Sequence, residues 1–264
     1  MHNRPAAKRI VFQEAHMEKV KIEKHGNVAL LRLDNQVSNA LSTTLVEDLS
    51  AAIKQIRGKY RGMVLAGGSK FFSIGFNLPE LLKLDRSDMA EYFYRFNKAV
   101  LDILTLPVPT ACAITGHAIA GGTILATSCD YRFLASGRKL MGLNEIKIGV
   151  PVPYLSDLML RQIAGDRAAT EMTYHGEFIE PEKARSIGIA DEVLYPDKVE
   201  NRAIEKITEL ATLPGDAFAE IKANRVEAIR LSYQENHQAK NEAFLECWFS
   251  PSTQELLTKA AEKF

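Results

Sequence analysis

The sequence predicts an α/β fold whose C-terminal third is a helical layer. Short apolar strands alternate with segments of helical periodicity up to about residue 143, and from Asp166 onward helical spacing takes over. Between Asp102 and Asp130 no charged side chain interrupts the chain. That uncharged run exceeds the roughly 20 residues a bilayer needs. Pro107, Pro109, Gly116, Gly121 and Gly122 would leave backbone groups unpaired in hydrocarbon, so it reads instead as strand, glycine turn and buried helix.

Each element has its own signal. Residues 20–23 and 28–33 read as strands around the turn His25-Gly26-Asn27. Ser42 caps a helix in which Leu45, Leu49, Ala52, Ile53 and Ile56 recur at helical spacing, with Gly58 near its end. A buried strand over 62–66 precedes a long helix started by Ser87 or Asp88, carrying Phe93, Phe96, Val100 and Leu104 and closed by Pro107. Strands over 110–115 and 130–135, a helix from Gly121 and an extended piece over 139–143 follow. The tail divides into helices over 166–174, 181–187, 197–213, 217–231, 235–248 and 252–263, broken by a strand at 192–194. Residues 1–17 read as a loose extension, 18–196 as the core and 197–264 as the helical layer, without a linker that would cut off an independent domain.

At 264 residues and 46% hydrophobic content the chain can bury a substantial core. Lys plus Arg equals Asp plus Glu at 33 each, so no global field recruits nucleic acid or an anionic membrane. Cys112, Cys129 and Cys247 form no CxxC pair and read as reduced core thiols, and six dispersed histidines show no ligand spacing, so no metal is expected. The first sixteen residues lack the apolar stretch of a secretory signal, and a cytoplasmic location is the expectation.

Two features offer chemistry, each with an ordinary structural alternative when taken alone: a helix packed tightly on a strand at Gly121-Gly122, and a solvated loop glutamate at Glu145. A helix beginning at Gly121 after a glycine turn offers free N–H groups to an oxygen that becomes negative. Glu145, the only carboxylate between Asp130 and Asp157, sits in an apolar setting that raises its proton affinity and suits a base near neutral pH. Residues 116–122 match neither GxGxxG nor a phosphate-binding loop, and Ser73 and Ser128 lack a GxSxG context. His117 reads as a satisfied histidine between strand and helix, Asn77 as a cap for a short helix from Leu78, and Lys259 and Lys263 as part of a solvated helical face.

Taken in order, Lys70-Phe71-Phe72-Ser73-Ile74-Gly75-Phe76-Asn77-Leu78, the run from Gly116 to Gly122 and Met141-Gly142-Leu143-Asn144-Glu145-Ile146-Lys147-Ile148-Gly149-Val150-Pro151 resemble the crotonase (enoyl-CoA hydratase/isomerase) superfamily. The resemblance covers residues 20–248 and includes Cys129-Asp130-Tyr131-Arg132. It implies a spiral of strand-strand-helix units with a helical C-terminal layer, assembled as a trimer or pair of trimers. An acyl-CoA is the implied substrate, and no cofactor is needed. Carried over by position, the backbone N–H groups of Phe76 and Gly121 form an oxyanion hole and Glu145 is the catalytic base. The substrate-binding set is Ser73, Ile74, Gly75, Phe76, Asn77, Gly121 and Asn144.

Hydratases of this family use two glutamates, and here the first position is Ile124. Isoleucine can neither hold nor polarise water, whereas a single carboxylate can move a proton from C2 to C4 of a 3-enoyl thioester. The resemblance therefore leans toward isomerases that convert 3-enoyl-CoA to 2-enoyl-CoA, where the Asn of Gly142-Leu143-Asn144-Glu145 also touches substrate. Ile74 and Phe76 replace the small residues usual in hydratases, and Asn77 replaces an Asp, which implies a reshaped adenine end and a narrowed acyl tunnel. Hydration or another enolate reaction, and a non-catalytic acyl-CoA or RNA-binding role, are the alternatives.

Overall fold

A computed structural model describes residues 17–262, so the extension at 1–16 and Lys263 lie outside the described residues. The chain opens with strands β1 (Val20–His25) and β2 (Val28–Leu33), an antiparallel hairpin turning at Gly26 with φ +60°. Helix α1 (Thr43–Ile56) follows, and the Ser42 hydroxyl accepts the Leu45 N–H. Strand β3 (Gly62–Ala66) leads to β4 (Phe71–Ser73), the short helix α2 (Leu78–Leu81) and helix α3 (Arg86–Leu104). Here Asp85, not Ser87 or Asp88, is the cap, its carboxylate accepting the Asp88 N–H. An aspartate three residues before a free amide has the reach a cap needs, and Ser87 lies already inside the first turn.

Twice more the chain passes from strand to strand. Strand β5 (Thr110–Ile114) is followed by β6 (His117–Ile119) and α4 (Gly121–Thr127). Strand β7 (Tyr131–Ala135) is followed by β8 (Met141–Gly142) and a 3-10 turn over Glu145–Ile148. With β9 (Glu192–Leu194), the larger sheet has the order β1-β2-β3-β5-β7-β9, parallel except for the first pair, while β4, β6 and β8 form a second parallel sheet. Each turn of the spiral therefore lays one strand in each sheet.

Helix α5 (Tyr154–His175) is broken at Gly165, whose φ of +78° and ψ of +160° are not helical, so its second arm starts at the expected Asp166 and its first arm, over 154–164, lies where no helix is expected. After α6 (Pro181–Ser186), helix α7 (Pro196–Leu210) covers the far face of the large sheet. Its Val199, Ala203 and Ile207 pack there with Val28, Leu30, Val64 and Phe133. Helix α8 runs unbroken over Gly215–Trp248, where two helices were expected, because Ser232-Tyr233-Gln234 contains no breaker and Tyr233 is buried. Helix α9 (Pro251–Ala261) closes the chain. Residues of α8 and α9 share one hydrophobic cluster with α1, α3 and the large sheet, so the helical layer and the spiral have a common core. Cys112 and Cys129 are buried in it, whereas Cys247 is exposed on α8 and is no core thiol. No helix of the described residues is long and apolar enough to cross a membrane.

Candidate active site

A cavity of about 1090 Å³ lies against the small sheet, walled by the turn after β4, the start of α4, the 3-10 turn and helices α8 and α9. Two backbone amides meet on one wall. The Leu41 N–H donates to the Gly75 carbonyl at 2.8 Å, and the Leu41 carbonyl accepts the Asn77 N–H at 3.2 Å. In a parallel bridge of this kind the residue between, Phe76, turns its own N–H away from Leu41. Gly121 opens α4, where a first-turn amide has no partner within the helix. Gly75, at φ +88°, lets the two segments touch, since a Cβ there would lie 3.0 Å from the Gly121 nitrogen. Gly122 is needed for packing, because its Cβ would overlap the Ser73 carbonyl oxygen.

Backbone strain aims the start of α4. Ala120 adopts φ +47° and ψ −116°, a region that costs a residue with a Cβ about 1–3 kcal/mol. Strand β8 holds it there. The Ala120 N–H donates to the Gly142 carbonyl at 2.8 Å, and the Thr123 hydroxyl donates to the Ala118 carbonyl at 2.7 Å while accepting the Gly142 N–H at 3.0 Å.

Glu145 is the first residue of the 3-10 turn, 6% exposed, and its Oε2 is buried without a hydrogen-bond partner among the described residues. Burial pushes its carboxyl up to about 7, against a smaller downward pull from its own backbone amide. Ile124 lines the same cavity from α4. The ring of Phe76 packs edge-on against Tyr92, Phe93 and Phe96, with centroid distances of 5.3, 6.5 and 4.9 Å, so the residue expected to supply a donor amide is anchored in the aromatic core. Among the described residues no cluster of His, Cys, Asp or Glu is arranged to hold a metal ion.

Of the residues expected to bind substrate, Ile74, Phe76, Gly121 and Asn144 line the cavity with Glu145. Ser73 does not. It is fully buried, its hydroxyl donating to the Asn39 carbonyl at 2.7 Å and accepting the Gly75 N–H at 3.2 Å, so it shapes the turn from behind. Gly75 contributes through its backbone conformation. The Asn77 side chain makes no capping bond and instead donates to Glu80 at 2.9 Å, whose other oxygen accepts the Thr43 N–H. Lys259 is exposed, as expected of a solvated face, and also lines the cavity, as do Lys70, His117, Phe244 and Trp248. Only tertiary folding brings α8 and α9 here. The run of aromatic residues at 244, 248 and 249 was the one local sign of an apolar wall.

A family model and several known proteins match most of this chain. The enoyl-CoA hydratase/isomerase family model matches residues 23–264. A probable enoyl-CoA hydratase of Mycolicibacterium paratuberculosis is 30% identical over 226 residues, covering 84% of this chain and 87% of its own. The human mitochondrial enoyl-CoA delta isomerase 1 is 28% identical over 228 residues, covering 84% of this chain and 76% of its own. The crystal structure of human mitochondrial delta3-delta2-enoyl-CoA isomerase superposes with a TM-score of 0.89 at 26% identity, over 93% of this chain and 98% of that one.

Proposed function

Because the chain belongs to the enoyl-CoA hydratase/isomerase family, with the crotonase fold, we propose that this member is an isomerase that moves the double bond of a 3-enoyl-CoA to C2. The observation that carries the reading is the pairing of Glu145 with Ile124 in one cavity. Glu145 is the buried carboxylate of the cavity, Glu262 standing exposed at its lining, and the position from which a second could hold water is a hydrocarbon. The thioester oxygen accepts the Phe76 and Gly121 amides. Glu145 takes a proton from C2, the electron pair of that C–H bond delocalises into a dienolate, and the proton returns at C4, leaving the C2–C3 double bond. Each oxyanion donor is worth about 2.7–4 kcal/mol in the transition state of comparable sites. The same proposal carries a homotrimer or pair of trimers, no metal or redox cofactor, and a cytoplasmic location.

Hydration of a 2-enoyl-CoA is the second reading, favoured by the name of the 30% identical relative. One assay separates the two: a 3-enoyl-CoA and a 2-enoyl-CoA are each incubated with the wild type and with Glu145→Gln. The isomerase reading expects conjugated product from the first substrate with the wild type only, and little water addition to the second. Equal isomerisation by both proteins would overturn the role of Glu145, and fast hydration would overturn the assignment to isomerase.

A further inference from the structure

Phe76, Phe244 and Trp248 line the cavity, and so do Lys70, Phe71, His117 and Leu140, with Phe71 and His117 paired at the starts of β4 and β6. His117 is half-buried there, its ring centroid 5.4 Å from that of Phe71. The Leu140 N–H donates to His117 Nδ1 at 3.0 Å. An amide can donate only to a ring nitrogen that carries no proton, so the imidazole is neutral with its hydrogen on Nε2. Among the described residues nothing bonds that Nε2.

Burial, followed by the charges of Lys139, Arg138 and Lys70, holds the His117 pKa below the usual histidine range. Lys139 is tethered nearby, its ammonium donating to the Ser69 carbonyl at 2.8 Å. A neutral N–H donor in a cationic surrounding selects an anionic oxygen. His117 opens β6 and Gly121 comes after its end, while Phe71 opens the parallel β4 that leads to Phe76, so a thioester held by Phe76 and Gly121 with its acyl chain among the aromatic side chains sends the coenzyme along the strands toward His117. We propose that His117 Nε2–H is a substrate-binding group that donates to a phosphate oxygen of the coenzyme A arm, an assignment that rests on the acyl-CoA reading of the site but not on the isomerase reaction.

The test is calorimetric binding of octanoyl-CoA and of octanoyl-pantetheine, which lacks every phosphate, to wild type, His117→Phe and His117→Gln. The expected result is that the wild type prefers the CoA ester and that His117→Phe shrinks this preference about tenfold, the scale of one hydrogen bond to a charged acceptor. Gln keeps an N–H and should retain most of the preference. A ratio unchanged in His117→Phe, including equal weakening toward both ligands, would overturn the assignment, and a Gln variant indistinguishable from Phe would overturn the hydrogen bond. Wild type that fails to bind octanoyl-CoA would remove the inference together with the acyl-CoA reading. Wild type that binds it selectively yet isomerises nothing would leave the inference standing and remove only the isomerase.

Discussion

Thr253 and Gly149 lock the last helix onto the turn that carries Glu145. The Thr253 hydroxyl donates to the Gly149 carbonyl at 3.0 Å, and Gly149, at φ +81°, ends the 3-10 turn so close that a Cβ on it would lie 2.6 Å from that hydroxyl. Helix α9 is thus a clamp on the turn that carries Glu145 as well as a wall of the cavity.

Thr253→Val, which keeps the shape and removes the donor, should cost about 1–2 kcal/mol in urea unfolding. Gly149→Ala should cost more, since it adds both a disfavoured backbone conformation and an overlap. Both should lower kcat by loosening Glu145. A Gly149→Ala protein as stable and as active as wild type would show that α9 does not hold the turn.

Glu145→Gln should retain the fold and lose about 10²- to 10⁴-fold in kcat, the range of general-base contributions. The base must be ionised, so kcat/KM of the wild type should climb with pH and level off above about 7.

The same carboxyl sets a stability difference with a definite sign. Its folded pKa of about 7 stands above the ordinary 4.5, so the folded state holds the proton more tightly. Its contribution is fully present below about 4.5 and is lost as pH rises toward 7. Ionising it in the folded state therefore costs roughly 3 kcal/mol by pH 8, to order of magnitude. Glu145→Gln should accordingly be more stable than wild type at pH 8 and show little such gain at pH 4.5, by denaturant midpoints at the two pH values.

Ile124→Glu would return a second carboxylate to the cavity. Ile124 is 1% exposed and shares the cavity with Glu145, so the variant should be less stable, with its new carboxyl raised by burial and by the neighbouring charge. In the folded fraction the ratio of 2-enoyl-CoA hydration to 3-enoyl-CoA isomerisation should rise. A folded variant with the wild-type ratio would remove Ile124 as the determinant.

At the N-terminal ends of β5 and β7, Lys222 is 5% exposed and its ammonium donates to Asp130 at 2.8 Å and to the Val108 carbonyl at 3.1 Å. Lys222→Met leaves that carboxylate without its cation and should cost about 3–5 kcal/mol, with much of it recovered by adding Asp130→Asn. Equal urea midpoints for wild type and Lys222→Met would show the pair to be energetically idle.

Strong local signals in the sequence survive into the fold. The hairpin at His25-Gly26-Asn27, the cap at Ser42 and the apolar strands β3, β5 and β7 were all legible, because each depends on its own residues. Strands β4 and β6 were not, since three residues carry no period and their pairing is tertiary. The first half of α5 was hidden by the prolines before it and the glycine within it, and the α8 boundary was drawn where no breaker stands. At the site, the burial of Glu145 was readable from its apolar neighbours. The facing of the Phe76 amide depends on Leu41, and the exclusion of Ser73 on Asn39, partners distant in sequence.

The bare Oε2 of Glu145 also bears on where each hydrogen atom ends up. No partner among the described residues touches it, and the side chain of Ile124 sharing its cavity offers no proton to trade. A hydrogen lifted from C2 is then carried by this one carboxylate, with a direct way back onto the same molecule. Isotope should therefore travel in part with the shift: a substrate deuterated at C2 would deliver label to C4 in ordinary water, and a product with no retained label would show that the carboxyl exchanges with solvent before it returns the proton.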